Sequence, residues 1–439
     1  MIGRGRLKSV PWLQLKPPSH IVLDSTVTKL APGGDGVAFA TLSGEQRAIF
    51  VRGVAPGDAV RLEVDASRRP ARGRLLEVLQ AGPGRVVSAC EVSGRCGGCD
   101  WMHLSEATQA DAHESMVRNV LPWEDIAVRH HGDGARLGYR TRARLHVQGT
   151  ATALKIGMHA AGTHEPVQVA RCVVLDPRLE EARHALRSLL SGAHGQGEAS
   201  LALGPQTEPR LAVLDLKWDG DLPAACFARF AESPFAGIRL HLTNATVPMV
   251  FGDPTPWMQG ADGAPLRLSR FGQASETTNV RLAQRVAELA DGLLPRDPAC
   301  RRVVELFAGA GNFSVVLAPQ ATDLVAVEAD REACLAAREN LSTRGLKARV
   351  VEADAMGFAV SAGTRLVVLD PPRTGARAVA ERLVQTRVRG LIYVSCDLAT
   401  LGRDLSILAC RYVPVAVETF AMFPQTSHVE VLVALASRS

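Results

Sequence analysis

Two patterns of apolar spacing divide this chain. Beyond about residue 300 the apolar residues come as short unbroken runs rich in Val, Leu and Ile, as in strands covered on both faces. They predict strands at 302–307, 323–328, 347–352, 365–370, 390–395 and 429–436, with room for a helix between most of them. Ahead of them, 276–294 reads as an amphipathic helix with Leu282, Val286, Leu289 and Leu293 on one side. Regular strand–helix alternation predicts an α/β fold built on a doubly wound sheet. Residues 21–79 differ. Short alternating runs at 26–30, 37–40, 48–51, 59–64 and 73–78, separated by turn residues such as Pro32-Gly33-Gly34-Asp35-Gly36, predict a small β-barrel. Between 101 and 262 neither period dominates; 139–147 alternates as a strand with one basic face, and 179–192 reads as a helix.

Length and composition narrow the class. At 439 residues the chain exceeds one hydrophobic core, and two or three domains are expected. Its 46% hydrophobic and 22% charged residues suit a soluble globular protein; no apolar run is long enough for a bilayer and no signal peptide is visible, so a cytoplasmic protein is expected. The net charge is only +5, but arginines cluster at 68–74 and 136–144, and the first 20 residues read as a mobile basic arm. Such clusters suit a polyanion such as RNA, and for either cluster alone a plain solvated face fits equally well.

Nine cysteines, an odd number, argue against a disulfide framework. Cys90, Cys96 and Cys99 have the spacing C-x5-C-x2-C, with Gly97-Gly98 letting the backbone fold tightly. Cys172 is the best candidate for a fourth ligand. Three clustered thiolates and one remote suit a [4Fe–4S] cluster, held as a structural element, better than zinc, which usually takes two ligand pairs; zinc stays open as the alternative.

The doubly wound region carries a candidate donor site. Val303 to Ser314 is a buried strand, a glycine loop with Gly309 and Gly311, then a helix start. It is G-x-G rather than G-x-G-x-x-G, and no Lys-Ser/Thr follows, so neither a dinucleotide fingerprint nor a P-loop fits well. Glu328 ends the second strand, placed for ribose hydroxyls, and Asp354 follows the third, suited to an adenine amino group. Glycine loop, acid and acid at three successive strand ends resemble the S-adenosyl-L-methionine site of class I methyltransferases, which are Rossmann-like. The fourth strand ends in Asp370-Pro371-Pro372-Arg373, where amino-group methyltransferases carry an aromatic in place of Arg373. The next strand ends in Ser395-Cys396-Asp397, a cysteine beyond a buried strand.

These last motifs, with Ala399-Thr400-Leu401, Arg403-Asp404-Leu405 and Phe423-Pro424-Gln425-Thr426-Ser427-His428-Val429-Glu430, resemble the RNA uridine-C5 (5-methyluridine) methyltransferase family. The cysteine pattern is similar to that of its iron–sulfur members, and the N-terminal runs resemble the TRAM domain, an OB-like RNA-binding module. The resemblance implies a TRAM-like barrel at 21–82, a central α+β iron–sulfur and RNA-binding domain at 83–265 and a catalytic domain at 266–439. It implies Cys396 as nucleophile and Glu430, at a strand rim, as general base, with Gln273, Phe307, Gly309, Asn312, Glu328, Asp354 and Asp370 around the donor. Phe271 would stack on an unpaired or flipped uridine, and the Arg140–Arg144 strand would hold flanking RNA. Three positions depart from the family pattern: Ser275 stands for an asparagine, Gly272 for a bulky residue and Leu398 for a proline. The implied cofactors are S-adenosyl-L-methionine and a [4Fe–4S] cluster. The implied partner is RNA, large-subunit (23S) ribosomal RNA ahead of transfer RNA, with no membrane and a monomeric state. A non-catalytic RNA-binding protein on the same fold is the alternative from another class.

Overall fold

The computed structural model describes residues 20–438 except 43, 133, 151 and 152. The basic arm expected at 1–20 therefore lies outside the described residues except for His20, which begins the first strand. By contact density, 20–31 with 35–85 form one unit and 86–438 with 32–34 the other.

The first unit is a closed five-stranded barrel, β1 (His20–Leu30), β2 (Gly36–Leu42), β3 (Glu45–Val51), β4 (Ala59–Asp65) and β5 (Ala71–Gln80), in the order β1-β2-β3-β5-β4. Alternation makes it: in β4, Val60, Leu62 and Val64 are fully buried while Arg61 faces out. The arginine cluster read as a polyanion site is largely paired within the unit. Arg68 meets Asp65 at 3.0 Å, Arg74 meets Glu63 at 2.7 Å, and Arg72 contacts Asp35. Exposed pairs of this kind are worth little and exchange readily.

The second unit opens with α1 (Glu106–Arg118) and β6 (Val128–His131). A seven-stranded sheet follows from β7 (Arg142–Gly149), β8 (Leu154–His159), β9 (Pro166–Val167), β10 (His194–Leu203), β11 (Ala212–Asp221), β12 (Gly237–Leu242) and β13 (Met249–Gly252). The helices α2 (Pro177–Leu189) and α3 (Ala224–Ala231) share its core through Leu179, Leu186 and Phe230. A small ribbon, β14 (Trp257–Gln259) with β15 (Pro265–Arg267), leads into α4 (Glu276–Leu293).

Beyond α4 the predicted alternation is realised as β16 (Arg302–Leu306), α5 (Ser314–Leu317), β17 (Asp323–Glu328), α6 (Arg331–Ser342), β18 (Arg349–Glu352), β19 (Leu366–Leu369), α7 (Arg377–Leu383), β20 (Gly390–Ser395), α8 (Leu398–Leu408), β21 (Tyr412–Phe420) and β22 (Glu430–Ser437). The eight-stranded order is β18-β17-β16-β19-β20-β22-β21-β6, with β18 to β20 parallel and β22 antiparallel to both its neighbours. The order reverses between β16 and β19, so a crevice opens at their carboxyl ends. Two cores cover the sheet, one holding Leu282 and Val286 of α4, the other Val117 of α1 and Leu401 and Leu405 of α8.

The edge strand β6 comes from well before residue 266. It runs parallel to β21, and its four residues, Val-Arg-His-His, carry no strand period to read. Tertiary contacts hold it. His131 Nε2 lies 2.6 Å from Glu418 Oε2, its ring stacks on Phe420 at 4.4 Å, and His130 Nδ1 lies 2.9 Å from Thr419 Oγ1. Arg285 of α4 donates to the same Glu418 at 3.0 Å. No described helix is long and apolar enough to cross a membrane.

Candidate active site

The crevice gathers most of the predicted site residues. Phe307 follows β16 in the left-handed region (φ 62°), a costly conformation for a residue with a side chain, and Gly309 and Gly311 continue it (φ 54° and 84°). This turn brings the Gly309 N–H to Glu328 Oε2 at 2.8 Å, while Asp330 N–H donates to Oε1 at 2.8 Å. Each carboxylate oxygen keeps a lone pair for a further donor, so Glu328 is oriented rather than used up. Asn312 is held by a reciprocal amide pair with the buried Asn279, at 2.9 and 3.0 Å. Asp354 lies past the end of β18, exposed, and accepts from Met356 N at 2.9 Å.

Gln273 is half-buried on the turn before α4. Two departures from the family pattern have physical reasons there. Ser275 is the N-cap of α4, accepting from Thr278 N at 3.3 Å, a role asparagine and serine fill about equally. A Cβ on Gly272 would stand 2.5 Å from Leu268 Cδ1, so a bulky residue there would require the Leu268 side chain to shift. Phe271 beside it is 69% exposed, available for stacking.

Ladder registers set the chemistry. Ser395 pairs with Val431 across β20 and β22, so the next positions, Cys396 and Glu430, face each other where the two strands meet the crevice. Leu369 pairs with Tyr393, which puts Asp370 on the other side of Cys396. Burial pushes the half-buried Cys396 thiol up to about 11; Glu430 and Asp370 add to this and Arg373 opposes it. Glu430, the first residue of β22, is 3% exposed, more deeply desolvated than the strand rim suggested, because β22 is enclosed as far as Leu435. Burial, then Asp370, raises its carboxyl well above the ordinary range, and burial raises Asp370 to about 7. Glu305, inside β16 and bonded by Ser314, is raised by burial to about 8. The sequence analysis missed Glu305, since one glutamate in Val-Val-Glu-Leu-Phe looks like a strand residue; its enclosure was the signal.

The Cys396 loop is firmly held. Asp397 is the N-cap of α8, accepting from Thr400 N at 2.9 Å and Thr400 Oγ1 at 3.0 Å, and that hydroxyl lies 3.1 Å from the Arg373 carbonyl. Leu398 is the first helical residue, where proline is favoured because its missing N–H has no helical partner; leucine there leaves the cap intact. Asp397→Ala is expected to cost about 1 kcal/mol of stability, read as a lower midpoint in denaturant unfolding.

Arg140 is not on an open RNA-facing strand. β7 starts only at Arg142, and Arg140 is half-buried just before it, where its backbone bridges Leu175 and Ser275. Its guanidinium lies 5.4 Å from the Phe423 ring centre and 3.7 Å from Met158 Sδ. Arg142 is half-buried; burial lowers it to about 10, and its Nη1 has no hydrogen-bond partner among the described residues. Arg144 is exposed and 3.3 Å from Glu198.

Cys90, Cys96, Cys99 and Cys172 line one cavity walled by Met102, Leu145, Met158 and Val174. All four are free thiols, and burial raises Cys99 to about 12. A Cβ on Gly98 would stand 2.3 Å from Met158 Sδ, so a larger residue there would require the Met158 side chain to move. Among the described residues no three His, Cys, Asp or Glu side chains converge on a single-ion site.

Comparison with known proteins completes the picture. Residues 288–392 match the family model "Methyltransferase small domain", and 349–438 match "tRNA (Uracil-5-)-methyltransferase". The 23S rRNA (uracil(1939)-C(5))-methyltransferase RlmD of Halomonas elongata is 32% identical, over 92% of this chain and 88% of the relative. The chain belongs to the RNA uracil-C5 methyltransferase family. A second family member, the RlmD of Pseudomonas putida, is also 32% identical, covering 92% of each chain. The crystal structure of the Pyrococcus abyssi tRNA (uracil-54, C5)-methyltransferase with S-adenosyl-L-homocysteine superposes with a TM-score of 0.73 at 21% identity, over 94% of this chain and 100% of that one. The eight-stranded sheet is thus the class I S-adenosylmethionine-dependent fold, carried by this uracil-C5 methyltransferase family member.

Proposed function

We propose that this enzyme methylates C5 of a uridine in 23S ribosomal RNA, with Cys396 as nucleophile and Glu430 as base. The observation that carries the reading is the pairing of Ser395 with Val431, which sets the thiol beside a buried carboxylate in the crevice. Uracil C5 is a weak nucleophile. Addition of the Cys396 thiolate to C6 forms a C6–S bond and moves the C5–C6 π electrons into an enolate, which makes C5 nucleophilic. The donor supplies an electrophilic methyl, which C5 takes. Glu430 then removes the C5 proton; those electrons re-form C5–C6 and expel the Cys396 thiolate. Arg373 favours the thiolate at both ends of the cycle. Phe307, Gly309, Asn312, Glu328 and Asp370, with Gln273 and Asp354 at the margins, would hold the donor. Phe271 would stack on the flipped base, with Arg142 as the candidate phosphate contact.

The four cysteines fit a [4Fe–4S] cluster better than zinc. What supports this reading is the spacing of three clustered cysteines and one remote one, all four lining one apolar cavity. Such a cluster would tie the Cys90–Cys99 loop to Cys172. The barrel reads as a TRAM-type RNA-holding module whose arginines exchange carboxylate partners for phosphates.

Ribosomal RNA is favoured over transfer RNA by the near full-length relatives; the family model matching 349–438 keeps the transfer-RNA reading in view. Either substrate places the enzyme in the cytoplasm. Mass-spectrometric mapping of 5-methyluridine in both RNAs, with and without the gene, decides. Loss of one 23S rRNA site is expected; loss confined to tRNA would move the assignment.

A further inference from the structure

Helix α1 buries Gln109, His113, Met116 and Val117 at the spacing of one helical face. Two of these four are polar where apolar side chains would serve packing better, and a buried polar group is tolerated only when bonded. Both are committed to one turn. Gln109, 3% exposed, donates through Nε2 to Gln425 Oε1 at 3.0 Å and accepts from Gln425 N at 3.1 Å through Oε1. Its Nε2 also lies 3.0 Å from Leu104 O and 3.1 Å from Trp101 O. His113 Nε2 lies 3.2 Å from the Thr426 carbonyl, which can only accept, so that nitrogen carries the proton.

Neighbouring residues hold the rest of the turn. Tyr139 Oη donates to Pro424 O at 3.1 Å, Trp101 N to Gln425 O at 3.0 Å, and Ser427 N to Asp100 Oδ1 at 2.8 Å. Four consecutive residues, 424 to 427, are thus fixed from 100–113 and 139. Within them Gln425 is held at φ 69°, which a non-glycine residue adopts only when its surroundings impose it. The turn joins β21 to Glu430, the first residue of β22, which also pairs with Phe420 across the ladder.

We propose that Gln109 is a positioning residue for the base: paired with Gln425, it imposes the left-handed turn that delivers Glu430 to C5. The proposal rests on the reading of Glu430 as the base. It makes the segment following Cys99 a mechanical part of the catalytic site.

The test uses the full-length protein and a 23S rRNA transcript. Gln109→Met removes both bonds to Gln425, together with those to Trp101 O and Leu104 O, at nearly constant volume. It is expected to lower kcat roughly 10- to 100-fold, the range for a misplaced catalytic group, with KM for S-adenosylmethionine unchanged and the covalent Cys396–RNA adduct accumulating on denaturing gels. Unchanged kcat, or parallel loss of donor binding, overturns it. A second pair avoids reliance on that variant. Gln425→Gly and Gln425→Val lose the same side-chain bond, but only glycine adopts φ 69° freely. Several-fold higher kcat in the glycine variant is expected, and equal rates overturn the proposal. Glu430→Gln run alongside separates the two readings. No adduct there removes the base assignment itself, whereas adduct there but none in Gln109→Met removes only the role of Gln109.

Discussion

Cys396→Ala is expected to bring methyl transfer below detection while leaving S-adenosylmethionine affinity intact. Without a thiolate at C6 there is no enolate, and C5 has no other route to nucleophilicity among the groups at the crevice. Donor affinity should survive because its candidate residues lie at or just past the ends of β16, β17, β18 and β19 and on the turn before α4, and the Cys396 loop is held separately by Asp397 and Thr400. The check is transfer of labelled methyl to RNA beside calorimetric donor titration; measurable turnover by the alanine variant would remove Cys396 from the mechanism. The same thiol sets the pH dependence. Its value of about 11 leaves a small thiolate fraction at neutrality, and that fraction grows with pH, as does the ionised fraction of Glu430. The rate is therefore expected to rise with pH through the neutral range.

Glu430→Gln should stop the reaction one step later. Attack by Cys396 and methylation of C5 need no base, but elimination does, so the RNA remains bonded to the enzyme through C6. A protein–RNA band stable to denaturant is expected, carrying one methyl. If the glutamine variant instead turns over, or binds RNA with no covalent band, another group takes the proton. Asp370 is the competitor to consider, since burial raises it too and the two carboxyls influence each other. Asp370→Asn distinguishes them: loss of donor affinity without adduct belongs to a donor-binding role.

Much of this was legible in the sequence for a simple reason. The strands 323–328 and 390–395 came out with the predicted bounds because parallel strands buried on both faces are unbroken apolar runs that nothing else explains. Cys396 was readable as a cysteine just past the end of such a run, whereas Glu430 stood out only through the family resemblance. What failed to show depended on partners distant in sequence. Val128–His131 is a strand only because Glu418, Thr419 and Phe420 receive its histidines. Arg140 looked like one of a basic face because alternation cannot tell that Phe423, far along the chain, covers it. Gln109 was one unremarked polar residue in a polar helix until Gln425 met it.

The edge strand β6 has a consequence for how the chain must be made. The catalytic sheet is not a continuous stretch of sequence: its last strand emerges from the ribosome some three hundred residues before β22. A fragment cut at 266 would end on the unpaired backbone of β21, an open edge able to recruit strands from other molecules. It would also leave Glu418 without His131, and the turn before Glu430 without its supports. The N-terminal half of the second unit therefore works as a built-in template on which the catalytic half completes itself, and the enzyme cannot be trimmed to its chemistry.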